Sequence, residues 1–310
     1  MYELCVISGK GGTGKTSVLA SFAALATNAV LADADVDAAD LHLVLGPKVR
    51  HEEDFLGGYI ASIDPDICTG CGECLARCRF DAITRDFQVK NPGCEGCGVC
   101  EHFCPSGAIT MRRRKSGRLY VSDTRHGIMV HAKLGIAEEN SGLLVSRVRA
   151  VARETAEDTG ADLVLVDGPP GIGCPVIAAV TGATGVLIVT EPTLSGAHDA
   201  KRVAGLAAHF GIPAFLSVNK WDLNPLQCEQ IEKEAREAGV EPLARVPYDA
   251  AVTGAMVEEK SVVEFSDTGA AAAIRDLWKA VLQRLGNTAP AFADLRGRNG
   301  AGDGVVGIGG

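Results

Sequence analysis

The chain has 310 residues, 46% hydrophobic, 22% charged and only 5% aromatic, with a net charge of −9 and a pI near 5.3. That is enough apolar mass for one large α/β domain, alone or with a smaller insert, and the acidic balance excludes a general nucleic-acid binder. No apolar run reaches the roughly 18 residues of a membrane span, and no signal peptide precedes the first strand, so the expectation is a cytoplasmic protein.

In chain order, "ELCVIS" reads as a short buried strand, a glycine-rich loop follows, and "SVLASFAALA" reads as a helix. "AVLADAD" is a second strand ending in acidic residues. From about Gly57 to Gly117 glycines, cysteines and prolines break any helical or strand period. Alternation returns in "RLYVSDTRHGIMVHA", read as a hairpin, and "LLVSRVRAVARETAEDTG" reads as an amphipathic helix with a glycine stop. "DLVLVDGPPG", "GVLIVTEP" and "PAFLSVNKWD" are apolar strands, separated by helical stretches around Ala197–Phe210 and Pro225–Ala238. "AAAAIRDLWKAVLQRLG" is a closing helix before a glycine-rich tail at 289–310 expected to be flexible. Strands alternating with helices predict an α/β fold with a mostly parallel, doubly wound sheet, and with function at the carboxyl ends of its strands.

The loop Gly9-Lys10-Gly11-Gly12-Thr13-Gly14-Lys15-Thr16, followed by Ser17, completes G-x4-G-K-[ST] between a strand and a helix. Its backbone amides can converge on phosphate, the helix start adds partial positive charge, and Lys15 can reach the terminal phosphates. Thr16 would offer its hydroxyl to Mg²⁺. Asp167 ends the strand "LVLVD", where a carboxylate can hold magnesium through water. Asp33, Asp35 and Asp37 end the neighbouring strand; a cation or a water-positioning role suits them, and Asp37 reads as a helix N-cap or a solvated acid.

The segments "KGGTGKT", "DADVD", "DGPPG", "VNKWD" and "VPYD", in this order, resemble the MinD/Mrp/ParA group of P-loop ATPases. The resemblance implies ATP hydrolysis with Mg²⁺ in a nucleotide-dependent dimer, formed with itself or with a paralogue. Lys10 would cross the interface to the partner's phosphates, Asp35 would orient the attacking water, and Asp167 would form the second switch with Gly171 sensing the terminal phosphate. Asn219, Pro247 and Tyr248 would line the base. "NKWD" also fits a guanine-reading pattern through Asp222, so GTP stays open beside ATP.

Eight of the eleven cysteines crowd between Cys68 and Cys104, as metal ligands rather than disulfides in a reducing compartment. They form a repeat: "ICTGCGECLARCRFDAI" recurs 26 positions on as "GCEGCGVCEHFCPSGAI". Each copy is C-x2-C-x2-C-x3-C, the bacterial ferredoxin run in which the fourth cysteine serves the other [4Fe-4S] cluster. Cluster one would use Cys68, Cys71, Cys74 and Cys104, and cluster two Cys94, Cys97, Cys100 and Cys78. A pair of zinc sites is the competitor, usually built from C-x2-C pairs further apart. Arg79 stands where the run usually has proline. The expected organisation is ATPase over 1–56 and 118–288, with a small inserted α+β ferredoxin domain over 57–117.

Cys174 reads either as a buried turn residue or as a dimer-interface thiol near a metal. "MRRRKSGR" reads first as a solvated hairpin turn and second as a docking site for an acidic redox partner, with DNA a distant third. Cys5 and Cys228 read as structural, and His126 and His131 show no ligand pattern. The leading functional expectation is ATP-driven conformational change coupled to electron transfer with an unidentified redox or metallocluster protein. The alternatives are a cofactor-assembly or carrier ATPase, and a MinD/ParA-like positioning ATPase with the ferredoxin as redox sensor.

Overall fold

The computed structural model describes residues 1–135 and 141–288, so the 289–310 tail lies outside the described residues. Nine strands form one sheet: β1 (Tyr2–Ser8), β2 (Ala29–Asp33), β3 (Lys48–Ile63), β4 (Ile109–Thr124), β5 (Gly127–Leu134), β6 (Leu163–Pro170), β7 (Gly185–Thr190), β8 (Ala214–Asn219) and β9 (Glu241–Val246). The order is β3-β4-β5-β2-β6-β1-β7-β8-β9, with only β4 antiparallel to the rest. The helices are α1 (Lys15–Leu25), α2 (Leu41–Leu45), α3 (Glu73–Arg77), α4 (Val99–His102), α5 (Ser141–Thr159), α6 (Cys174–Val180), α7 (Leu194–His209), α8 (Pro225–Glu237), α9 (Ala250–Val257), α10 (Val262–Phe265) and α11 (Ala270–Thr288).

The two-residue period of β1 feeds two cores. Cys5 and Ile7 pack on one face with α5, α6, α7 and α8, while Leu4 and Val6 pack on the other with α1, α2 and α11. Helix α11 turns Ile274, Leu277, Trp278, Val281 and Leu285 inward, the spacing of one helical face. Both faces of β1 are therefore dry, which explains its unbroken apolar run. Its carboxyl end delivers the phosphate loop to the rim of the sheet.

The stretch from Gly57 to Gly117 departs from its expected irregularity at both ends. β3 runs on to Ile63 and β4 begins at Ile109, paired antiparallel from Lys48↔Asp123 to Ile63↔Ile109 with register shifts along the way. Gly117, opposite Phe55, makes the last pairing of β4 with β5, to Leu134, and register shifts flank Gly57. Beyond that point the two strands continue alone as a ribbon. "MRRRKSGR" therefore lies within β4 and is not a turn. Arg118 and Lys115 reach across to Glu52 and Asp54, at 3.5 Å and 2.5 Å respectively. Much of β3 is exposed, so its sequence lacks the apolar alternation that marks a half-buried strand.

The ribbon ends in a small cysteine-bearing unit with its own core of Ala61, Cys74, Ala82, Ile83, Cys94 and Ile109. The repeat is visible in space. Ala82 N–H donates to Cys78 Sγ at 3.4 Å, and its counterpart Ala108 N–H donates to Cys104 Sγ at 3.3 Å. The Arg77 guanidinium sits 4.0 Å over the Phe103 ring and ties the copies together.

Candidate functional site

The nucleotide cleft forms where β1, β2, β6 and β8 end. Its walls include Gly11 through Val18, Asp35, Asn219, Lys220, Pro247, Tyr248 and Asp249, around a cavity of about 460 Å³. Gly14 begins α1 in the left-handed region at φ 88°, with Asn219 packed where a Cβ would stand. Asn219 Nδ2 donates to Thr13 O at 2.8 Å and pins the loop to β8. The Thr13 hydroxyl is buried without a hydrogen-bond partner among the described residues.

Charge is concentrated beneath the loop. Lys15 Nζ is 2.7 Å from Asp167 Oδ1 and 3.3 Å from Asp35 Oδ2, and Thr16 Oγ1 donates to Asp167 Oδ2 at 2.7 Å. Burial would lower the Lys15 pKa, but attraction to Asp167 and then Asp35 outweighs it and holds the ammonium above its ordinary value. Burial raises Asp35, against the pull of Lys15. Asp33, fully buried, is pushed well above the usual carboxylate range by desolvation and by Asp167. Lys15 is thus paired to the carboxylates of Asp167 and Asp35, while Asp33 lies buried behind them.

Asp33 has a local task as well, because its carboxylate accepts from Asp35 N–H and Leu41 N–H and so fixes the loop between β2 and α2. Asp37 is no N-cap. It sits exposed in the turn before α2, whose cap position belongs to Asp40. Gly171 N–H donates to Ser8 O at 2.8 Å, so in this conformation that amide is engaged by β1. Gly9 packs against the backbone of Asp199 in α7. Asp222 is not among the residues lining the cleft; it accepts from Tyr248 N–H at 2.7 Å and positions the Pro247–Asp249 loop.

Lys10 is held within its own chain. Its Nζ lies 3.3 Å from Glu191 Oε2 and 3.4 Å from Ser195 Oγ, and Lys220 takes the other Glu191 oxygen at 2.5 Å. Burial would raise the Glu191 pKa, but Lys220 and Lys10 together hold it below the ordinary value. Sequence reasoning missed Glu191 and Lys220, although "NKWD" flagged the right loop. It also missed the apolar wall of Val252, Met256 and Ile274, which no motif marks.

The cysteines line two separate small pockets. One is bordered by Cys78, Cys94, Cys97 and Cys100, the other by Cys68, Cys71, Cys74 and Cys104. These are the crossed sets that the repeat implies. Gly96, at φ 64°, lets its loop close over the ribbon, where a Cβ would stand 2.5 Å from Tyr59 O. Among the described residues no three His, Cys, Asp or Glu side chains are grouped to hold a single metal ion. Cys174 is exposed at the start of α6, not buried in the turn. His126 Nε2 is 3.0 Å from Glu264 and His131 Nε2 is 2.9 Å from Ser122, both structural contacts.

A phosphate loop entering α1, an acidic strand end beside it and a mostly parallel sheet define a P-loop nucleotide-binding protein. The chain belongs to the CobQ/CobB/MinD/ParA nucleotide-binding family, whose model matches residues 4–262. An uncharacterized protein of Methanocaldococcus jannaschii is 35% identical over 72% of this chain and 79% of its own. Pyrococcus furiosus cell division ATPase MinD has a similar fold, with a TM-score of 0.55 and 19% identity, covering 91% of this chain and 99% of its own. Pyrococcus horikoshii MinD complexed with Mg-ADP gives 0.55 at 18%, covering 93% and 98%. The protein is thus a MinD/ParA-type P-loop ATPase. No helix among the described residues is long and apolar enough to cross a membrane.

Proposed function

We propose that this ATPase is a nucleotide-switched dimer carrying a two-cluster [4Fe-4S] ferredoxin module as its redox-sensing arm. The observation that carries the reading is the pair of cysteine-lined pockets at the tip of a ribbon continuous with the ATPase sheet. Their donor set is all thiol, four to a pocket, with amides donating to Cys78 and Cys104 Sγ, and this suits iron–sulfur ligation. Cys68, Cys71, Cys74 and Cys104 would hold one cluster, and Cys94, Cys97, Cys100 and Cys78 the other. Bound there, the clusters would supply reversible one-electron storage.

In the cleft, ATP with Mg²⁺ is the expected ligand, as the complex of the Pyrococcus horikoshii protein with Mg-ADP suggests. Lys15 would leave Asp167 for the terminal phosphates, Thr16 and Asp167 would face the metal, and Asp35 would hold the attacking water. Lys10, released from Glu191, would reach the partner subunit's nucleotide. Tyr248 and Pro247 would cover the base. Asp222, turned to the Tyr248 amide, favours adenine over guanine as the base read here.

The likeness to MinD supports a positioning-type switch with a redox-sensing module more directly than ATP-driven electron transfer. The second reading keeps one observation in its favour, since two permanent-looking thiol quartets suit electron transfer. Anaerobic protein titrated by EPR with and without a non-hydrolysable ATP analogue, alongside ATP turnover at each redox state, separates the two. Turnover that changes with redox state at fixed potentials supports the sensor. A nucleotide-induced shift beyond about 59 mV, tenfold for a one-electron couple, supports coupled electron transfer. Protein without iron or acid-labile sulfide overturns the module in both.

A further inference from the structure

The contact that keeps Lys10 within its own chain follows from the sheet register. Ile7 in β1 pairs with Ile188 in β7, and Lys10 and Glu191 each stand three residues beyond, so parallel neighbours carry the two charges out of the sheet side by side. On the other side of β7, Thr190 pairs with Val218 in β8, which brings Lys220 to the same carboxylate. Among the described residues the polar partners of the Lys10 ammonium are Glu191 and Ser195, and those of the Glu191 carboxylate are Lys10 and Lys220.

The three charges are not mounted alike. Glu191 stands on fixed backbone: its carbonyl oxygen accepts from Thr193 N–H at 2.8 Å, and Gly196 lets α7 close against that oxygen, which a Cβ there would approach to 2.3 Å. Lys220 is fixed too. Its N–H donates to Asn219 Oδ1 at 3.0 Å, and its Nζ, 2.5 Å from Glu191, also lies 3.5 Å from Gly12 O. Lys10 rides on the glycine-rich loop and stands farther from Glu191, at 3.3 Å. Two cations on one carboxylate repel each other, so Lys220 loosens the hold on Lys10.

We propose that Glu191 is a latch that holds Lys10 in its own subunit and sets how tightly two ATP-loaded copies of the chain close on each other. Glu191 can do so only if the dimer reading above holds, whereas the cysteine module plays no part. Swinging to the partner subunit's nucleotide takes the Lys10 ammonium off Glu191, so every protomer entering the closed dimer breaks this contact. Glu191 is not among the residues lining the cleft and acts through Lys10, as a positioning residue. Lys220 tunes the latch in the opposite sense, because removing the competing cation leaves the carboxylate to Lys10 alone. With the two side chains 33% and 16% exposed, such a pair holds Lys10 by a factor of about three. A two-fold dimer opens two latches, so their combined effect on closure is about tenfold.

The test is sedimentation of the full-length protein over a range of protein concentrations at saturating non-hydrolysable ATP analogue and Mg²⁺, beside the affinity of the monomer for Mg-ADP. Glu191→Gln should lower the dimer dissociation constant by about tenfold and leave Mg-ADP affinity in place. Glu191→Asp, still charged but shorter, should fall between wild type and Glu191→Gln. Lys220→Gln should raise the constant. A constant that stays put or rises in Glu191→Gln overturns the latch. So does a change that Mg-ADP affinity follows in step, since that marks a general disturbance of the phosphate loop. Should Glu191→Gln fail to fold, Glu191→Asp and Lys220→Gln still decide, because the latch requires them to move in opposite directions and movement in the same direction overturns it. Wild type that stays monomeric at saturating analogue instead defeats the dimer reading itself.

Discussion

The nucleotide cleft and the cysteine module are built in opposite ways. The cleft is built by the sheet: Asp33, Asp35 and Asp167 come from the ends of adjacent strands, and Lys15 stands among them before any ligand arrives. The two large cores behind it hold those strand ends still. The module has a core cluster of six buried residues, two of them cysteines, and helices of five and four residues. A unit this small gains too little from burial to offset its chain entropy, so metal would supply its cohesion. The contrast teaches that a preformed site spends fold stability on its ligand, whereas a site of the second kind takes stability from it.

Removing the metal should break the comparison most visibly. Oxidative stripping of iron should reduce amide-exchange protection across 64–108 to unfolded levels while α1 and β6 stay protected. Comparable loss in both regions would mean that the module and sheet form one cooperative unit. Lys15→Ala sharpens the other side: ATP turnover should fall by about 10²–10³, as loss of a charge-stabilising donor does, with iron content unchanged. A parallel fall in iron would contradict the separation of the sites.

A smaller effect probes the junction between the two regions. His131 in β5, half-buried and near His42, has its pKa pushed down to about 4, by desolvation first and then by His42. An unfolded histidine titrates near 6.5, so on acidification the unfolded chain takes up this proton first. The stabilising contribution is therefore complete above about pH 6.5 and is lost as the pH falls toward 4. Urea midpoints should show a loss of about 2 kcal/mol between about pH 7.5 and 5, absent in His131→Asn. An unchanged slope in the variant would assign the acid sensitivity elsewhere.

The same contrast explains what could be read from sequence. The phosphate loop was legible because its chemistry is local: Gly14 and Lys15 are neighbours, and their spacing carries the geometry. The eight cysteines were legible through their repeat. Lys10's contact with Glu191 was not, because it joins residues far apart in the chain without a shared pattern. The apolar wall of the cleft comes from Val252, Met256 and Ile274, which look like any helix interior. β9 escaped because it is a partly exposed edge strand containing Pro242, and α6 because it is short and starts with Cys174-Pro175. The ribbon was hidden by its own exposure and by the glycines at its bulges.

Continuous pairing through β3 and β4 also sets an order of assembly. Joining Lys48 to Asp123 directly would close a long loop, and such closures are slow because their entropy must be met before any contact rewards it. Closing the cysteine module first brings Ile63 beside Ile109, and the two strands can then zip toward the sheet one pair at a time. Under the proposed cluster-binding reading, a nascent chain that loaded metal early would hand its nucleotide-binding domain a ready-made edge, and metal supply would become a checkpoint on its folding.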